Sequence, residues 1–255
     1  MFERRSFIPF VTAGYPDLET TREVVQRLAA AGAGLIEIGI PFSDPIADGP
    51  VIQQASFEAL AHGYTISDYL EMVRAIRQTT RVPLIFMTYL NPVLRFGVER
   101  LDHEGAAAGL DGLLISDLTP EEGSAGLAVT RSIRQLKLVQ LVAPTSTTER
   151  IERICAAATG FIYLVARTGV TGRQTRLGGA ARELVERIRE CCTLPVAVGF
   201  GIRSREDVEK VWEFADGAVV GTAIVRFMQE NRERVDLPQR VAEYVQRQFL
   251  ERTGG

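Results

Sequence analysis

The chain has 255 residues, 46% of them hydrophobic and 24% charged, a length and composition typical of one (β/α)8 barrel. Lys and Arg number 29 against 32 Asp and Glu, and this balance argues against nucleic acid as the main partner, because phosphate backbones require excess positive charge. Three cysteines without CxxC spacing and only two histidines disfavour a disulfide framework, a zinc site and a His-centred triad. No apolar run is long enough to span a bilayer, and the N-terminus lacks a signal-peptide pattern, so we expect a cytoplasmic protein without a membrane partner.

In chain order, apolar and β-branched segments alternate with segments of helical periodicity. Strands are predicted at residues 7–13, 35–40, 83–89, 112–117, 138–143, 161–166, 195–200 and 217–221. The main helices are predicted after a cap at Asp17 or Thr20, at 51–61, 67–79, 98–108, 121–134, 147–157 and 178–191, and from 204, 223 and 238 onward. Asn91-Pro92 is expected to end the third strand. Eight such units with short connections predict a single TIM-barrel domain over residues 1–255, with extra helices.

An acidic residue interrupts the second predicted strand. Glu37 lies between Ile36 and Ile38, although an ionised carboxylate in an apolar strand is costly unless it is paired or used. If the two isoleucines face the helices, strand alternation directs Glu37 into the barrel. Burial there would raise its pKa and make Glu37 a proton carrier near neutral pH.

A proline-rich loop after this strand carries two further acids, Asp44 and Asp48. Aspartates in loops are usually only solvated, but the rigid setting between Pro41 and Pro50 favours a more specific role. Active sites of such barrels lie at the carboxyl ends of the strands. Glu37 and Asp48 therefore predict acid–base chemistry at the end of the second strand.

Glycine-rich turns at residues 169–172, 199–201 and 221–223 follow the last three predicted strands. Glycine lets backbone N–H groups approach an anion, and barrels often bind phosphate with the loops after strands seven and eight. Thr222 is expected to cap the next helix and to direct its positive end to the same place. Each turn taken singly is equally explained by chain reversal alone, whereas the set favours a phosphate site.

The Gly- and Thr-rich segment 167–179 lies over the same rim and is either a lid or a surface loop without a role. Phe10 and Tyr163, on predicted strands, are either core residues or the walls of a flat apolar pocket.

Four stretches taken together resemble the tryptophan synthase α-subunit family. They are residues 35–50 (LIEIGIPFSDPIADGP), 7–14 (FIPFVTAG), 161–172 (FIYLVARTGVTG) and 199–202 (GFGI). The first stretch is highly specific, the glycine turns alone are not, and the likeness extends from residue 7 to about residue 230.

The resemblance implies retro-aldol cleavage of indole-3-glycerol phosphate to indole and glyceraldehyde 3-phosphate, in the last steps of tryptophan biosynthesis. It implies that the chain itself carries no cofactor or metal. It also implies an α2β2 hetero-tetramer, in which indole passes to a pyridoxal-phosphate β subunit under allosteric control. The implied residues are Glu37 and Asp48 for catalysis, Phe10 and Tyr163 for the indole pocket, Gly172, Gly201, Gly221 and Thr222 for phosphate, Arg167 and Thr171 for a lid, and Asp44 for the loop facing the β subunit.

One feature departs from the family pattern, in which a short helix usually precedes the first strand and covers the bottom of the barrel. Only residues 1–6 precede Phe7 here, which leaves the cover of that end open. Two other functions also remain open. One is an isomerase that acts on a ribosyl or ribulosyl phosphate with the same two acids, and the other is a nearly inactive barrel that activates a β partner.

Overall fold

Eight parallel strands in the described part of the chain close into a barrel in sequence order, as predicted. The computed structural model describes residues 1–118, 123–165, 179–199 and 201–251. Each strand pairs in parallel with its sequence neighbours, and β8 closes the ring by pairing with β1. The strands are β1 (Ser6–Thr12), β2 (Ile36–Gly39), β3 (Leu84–Thr88), β4 (Gly112–Ile115), β5 (Lys137–Val142), β6 (Ile162–Val165), β7 (Val196–Gly199) and β8 (Gly217–Val220).

Helices surround this barrel and bury their apolar faces against it. The first helix begins at the N-cap Asp17, whose side chain accepts a hydrogen bond from the Thr20 N–H at 2.7 Å. No helix among the described residues is long and apolar enough to cross a membrane. The helices are α1 (Leu18–Ala30), α2 (Pro50–Leu60), α3 (Ile66–Arg77), α4 (Leu90–Phe96), α5 (Val98–Ala108), α6 (Gly123–Ser132), α7 (Thr148–Ala157), α8 (Gly179–Cys191), α9 (Arg205–Trp212), α10 (Thr222–Glu230) and α11 (Leu237–Val245), followed by a π-helical turn (Gln246–Leu250).

The predicted alternation of β2 is confirmed by two separate apolar layers. Ile36 and Ile38 belong to the large layer between the strands and the helices. Leu35 belongs to the smaller layer inside the barrel. Glu37 is two residues further along the same strand, so its side chain also enters the barrel.

The first two residues cover the amino end of the barrel interior. Met1 and Phe2 pack against the inner layer, and the Phe2 ring lies edge-on to that of Phe161 with 5.0 Å between centroids. Glycines make room for Met1, since a Cβ at Gly112 would lie 2.9 Å from its terminal methyl and one at Gly160 would lie 2.7 Å from its sulfur. Met1 and Phe2 therefore cover the end of the barrel that a short helix usually covers in the family.

Two local predictions are wrong. Asn91 and Pro92 do not end a strand but lie in the first turn of α4, where proline is tolerated because the first N–H groups of a helix have no intrahelical partner. Thr222 is the first helical residue of α10, and Gly221 precedes it as the N-cap without a side-chain cap bond. The exposed side chain of Thr222 therefore does not cap its own helix.

Candidate active site

A cavity of about 330 Å³ opens at the carboxyl end of the barrel. It brings together seven of the residues singled out in the sequence: Phe10, Glu37, Asp48, Tyr163, Gly201, Gly221 and Thr222. Gly172, Arg167 and Thr171 lie outside the described residues. Asp44 does not line the cavity and is exposed on the loop after β2.

Glu37 is buried in the wall of this cavity. Its side chain is 1% exposed, and neither carboxyl oxygen has a hydrogen-bond partner within the described residues. Burial, and next the charge of Asp48, raises the pKa of Glu37 from 4.5 to about 8. Glu37 is therefore protonated near neutral pH, and no hydrogen-bond acceptor among the described residues binds its proton.

Asp48 is held by Tyr89, which directly follows β3 and precedes α4. The Tyr89 hydroxyl donates to a carboxyl oxygen of Asp48 at 3.1 Å and accepts from the Ala47 N–H at 3.1 Å. The Tyr89 ring also packs on Phe42, with 5.2 Å between centroids. Sequence reasoning placed Tyr89 on the rim but missed this role, because nothing in its neighbourhood in sequence marks a contact with a loop 41 residues away.

The two acids differ in protonation. Burial raises the pKa of Asp48 from 3.8 to about 6, while the hydrogen bond from Tyr89 opposes that rise. Near pH 7, Asp48 is therefore ionised while Glu37 keeps its proton. Two acids whose surroundings separate their pKa values in this way are suited to different roles in one reaction.

Phe10 and Tyr163 form flat apolar walls because glycines on neighbouring strands leave space for their rings. A Cβ at Gly39 would overlap the Phe10 ring, and one at Gly199 would overlap the ring and hydroxyl of Tyr163. Burial, and next the charges of Glu37 and Asp48, raises the pKa of Tyr163 well above 10, so its hydroxyl stays neutral. The side chains of Met87, Leu141 and Val165 complete an apolar compartment next to the two acids.

At the ends of β7 and β8 the cavity is lined by groups that suit an anion. Gly201 adopts φ 49°, in the left-handed region that favours glycine, and Gly221 precedes the N-terminus of α10. Free N–H groups at a helix N-terminus attract anions. Arg203 and Arg226 also line the cavity. Sequence reasoning missed both arginines, since an arginine near a strand end is common in a chain with so many of them.

A second depression, of about 520 Å³, lies at the opposite end of the barrel. It is lined by the ends of α3 and α5, and Arg77 within it donates to the carbonyl oxygens of Gly109 at 2.6 Å and Val82 at 2.5 Å. These contacts hold the connections before β3 and β4 in place.

No set of three or more His, Cys, Asp or Glu side chains within the described residues is placed to hold a metal ion.

Three large apolar side chains on the segments that follow β2 and β3 are exposed. Ile46, in that loop, is 76% exposed and Phe57, on α2, is 73% exposed. Leu94, on the neighbouring α4, is 52% exposed. Large exposed apolar side chains of this kind are candidates for contact with another protein.

The sequence matches the family model described as tryptophan synthase alpha chain over residues 2–252. The chain belongs to this family. Among relatives, it is 46% identical to the tryptophan synthase alpha chain of Solibacter usitatus over 234 residues, which cover 92% of this chain and 87% of that one. It is likewise 46% identical to the alpha chain of Gloeobacter violaceus over 224 residues, or 88% and 81% of the two chains.

Solved structures of the family agree with the fold. A mutant alpha subunit from Pyrococcus furiosus superposes with a TM-score of 0.87 at 36% identity, covering 96% of this chain and 98% of that one. The match to a tryptophan synthase complex from the same organism has a TM-score of 0.85, 36% identity and the same coverage. A third match, at 37% identity and a TM-score of 0.86, comes from a structure described as showing mutual activation of the α2β2 complex.

Proposed function

We propose that this chain is the α subunit of a tryptophan synthase and cleaves indole-3-glycerol phosphate to indole and glyceraldehyde 3-phosphate. The observation that carries the proposal is that two acids, Glu37 and Asp48, lie in the wall of one cavity in surroundings that separate their pKa values. The glycine turns and the α10 N-terminus at the ends of β7 and β8 suit the phosphate of the same substrate. Family membership supports the assignment.

The first step is protonation of indole C3. Glu37 enters the reaction as a neutral acid and donates its proton to C3, which converts the indole ring into a cationic indolenine. Positive charge then develops at the ring nitrogen. The carboxylate of Asp48, held by Tyr89, accepts a hydrogen bond from the ring N–H and stabilises this charge.

The second step breaks the carbon–carbon bond. Glu37, now a carboxylate in an apolar site, removes the proton from the glycerol hydroxyl next to the bond. The O–H electrons form the aldehyde, the C–C electrons return to the indole ring, and Glu37 regains the proton that it gave. One carboxyl group thus carries both proton transfers. A carboxyl group with a pKa near neutrality is better suited to this double role than one with the ordinary pKa of 4.5.

The phosphate of the substrate is assigned to Gly172, Gly201, Gly221 and Thr222, and the lid to Arg167 and Thr171. This assignment follows the family resemblance for Gly172 and the two lid residues. For the other three it is also supported by their positions in the cavity.

The apolar surface formed by Ile46, Phe57 and Leu94 is the proposed docking face for a β subunit, together with Asp44. The related Pyrococcus furiosus protein is described as an α2β2 complex. We infer the same assembly here, in the cytoplasm, with pyridoxal phosphate on the β subunit, which consumes the indole. Because Asp44 and Ile46 share a short loop with Asp48, docking there would act directly on a catalytic carboxylate.

The products released from indole-3-glycerol phosphate test this proposal. The purified chain should release indole and glyceraldehyde 3-phosphate in equal amounts, faster when a β subunit is added. Turnover of a ribosyl or ribulosyl phosphate without indole release would instead favour the isomerase. No indole with or without the β subunit would indicate a barrel that only activates its partner.

A further inference from the structure

Two arginines, Arg203 and Arg226, line the cavity near the ends of β7 and β8. Arg226 lies four residues after Thr222 on α10, so the two residues share a face of the helix. Helical side chains lean toward the N-terminus, and this direction carries the Arg226 guanidinium back toward Thr222 and Gly221. Arg203 follows Gly201 by two residues and borders the same cavity from the loop after β7.

Neither guanidinium is held in an ion pair within the described residues, and the one interaction of Arg226 with a described side chain is the effect of its charge on Tyr244. Other arginines of this part of the chain form ion pairs, as Arg205 does with Glu209 at 2.8 Å and Arg232 with Glu58 at 3.5 Å. No ion pair or side-chain hydrogen bond joins Arg203 or Arg226 to another described residue. Both side chains are exposed and so are able to rearrange around a ligand.

The charge of the expected ligand requires more than backbone N–H groups. A phosphate monoester carries about −1.5 to −2 charges near neutral pH, whereas a helix N-terminus supplies roughly +0.5. A pair of guanidiniums would supply the remaining positive charge, and guanidiniums match phosphate geometry well. The two acids of the cavity do not compete for them, since Glu37 is neutral and Asp48 is bound to Tyr89.

We propose that Arg203 and Arg226 are substrate-positioning residues that together clasp the phosphate group of the substrate. This inference rests on the proposed function and adds to it two charged side chains that the glycine turns alone do not provide. The cavity therefore prefers a phosphomonoester dianion over a neutral glycerol chain. The arginines act on binding and leave both proton transfers to Glu37.

Binding of inorganic phosphate to the purified chain tests the pair without any turnover. The variants are Arg203→Gln and Arg226→Gln, and the matched control is Arg81→Gln, an exposed arginine at the far end of the barrel. Each cavity variant should weaken phosphate binding about tenfold in calorimetry, as expected for loss of a charged hydrogen-bond donor. Lysine at either position should bind more tightly than glutamine, because it keeps the charge.

Steady-state kinetics of the same variants give a second readout, because a merely structural role of the arginines would not change KM alone. Each glutamine variant should raise KM for indole-3-glycerol phosphate about tenfold with kcat unchanged. Cleavage of the same substrate without its phosphate should be unaffected. The inference is overturned if either cavity variant binds phosphate as tightly as the Arg81→Gln control. A wild-type chain that binds phosphate through these arginines but releases no indole would overturn the proposed function and leave this inference standing.

Discussion

Replacing Glu37 with Gln should make the protein more stable at alkaline pH. The folded chain holds a proton on Glu37 up to about pH 8, whereas the unfolded chain releases it near pH 4.5. A pKa that is raised on folding contributes stability that is fully present below pH 4.5 and is lost as the pH rises through about 8. Glutamine has nearly the same shape but does not ionise, so the variant should not lose this part of its unfolding free energy as the pH rises.

The size of the effect follows from the pKa difference. A rise from 4.5 to about 8, at about 1.36 kcal/mol per pH unit, corresponds to about 5 kcal/mol in full. Between about pH 5 and pH 9, the wild type should therefore lose about 4 kcal/mol of unfolding free energy relative to Glu37→Gln. The loss is large because Glu37 is buried and its carboxyl oxygens have no hydrogen-bond partner among the described residues.

Urea unfolding at several pH values measures this difference directly. The exposed Glu183 provides the matched control, since Glu183→Gln makes the same chemical change at a position on the surface. The stability curves of the wild type and Glu37→Gln should diverge from about pH 5 upward and run parallel again above about pH 8, while the Glu183→Gln curve follows the wild type. Parallel curves for all three proteins would refute the reasoning that burial holds the proton on Glu37.

Three further predictions concern the two acids and one structural carboxylate. The profile of kcat/KM against pH should be bell-shaped, rising near pH 6 as Asp48 ionises and falling near pH 8 as Glu37 loses its proton; a flat profile in steady-state assays would contradict this assignment. Tyr89→Phe removes the donor to Asp48, so its acidic limb should move to higher pH and kcat/KM should fall about tenfold; an unmoved limb would show that the hydrogen bond is unimportant. Asp102 is buried and accepts from three consecutive backbone N–H groups before β5, so Asp102→Ala should lower the unfolding free energy in urea by about 3 kcal/mol, and a loss within experimental error would disprove that role.

The fold was predictable because its signals are local and repeated. Eight apolar segments, each closed by a helical one, determine a parallel barrel, and the alternation around Glu37 placed that residue inside it. The two local predictions that were wrong, at Asn91-Pro92 and at Thr222, each concern the first turn of one helix. Whether Gly221 or Thr222 is the cap of α10 is a difference of one residue, which side-chain preference alone does not settle.

The site was less predictable where it depends on contacts between distant segments. The hydrogen bond from Tyr89 to Asp48 and the cover formed by Met1 and Phe2 exist only after the barrel has closed. The same holds for Arg203 and Arg226, which line one cavity although they belong to different connections. Glu37 was identifiable because an acid in an apolar strand is costly and thus requires an explanation.

The rate of indole release by Glu37→Gln tests the central claim, that one buried carboxyl group carries both proton transfers. The variant keeps the shape of the cavity and should bind indole-3-glycerol phosphate with unchanged affinity. Its kcat should fall by at least about a hundredfold, the lower end of what acid–base catalysis contributes. Release of indole at the wild-type rate by this variant would contradict the mechanism.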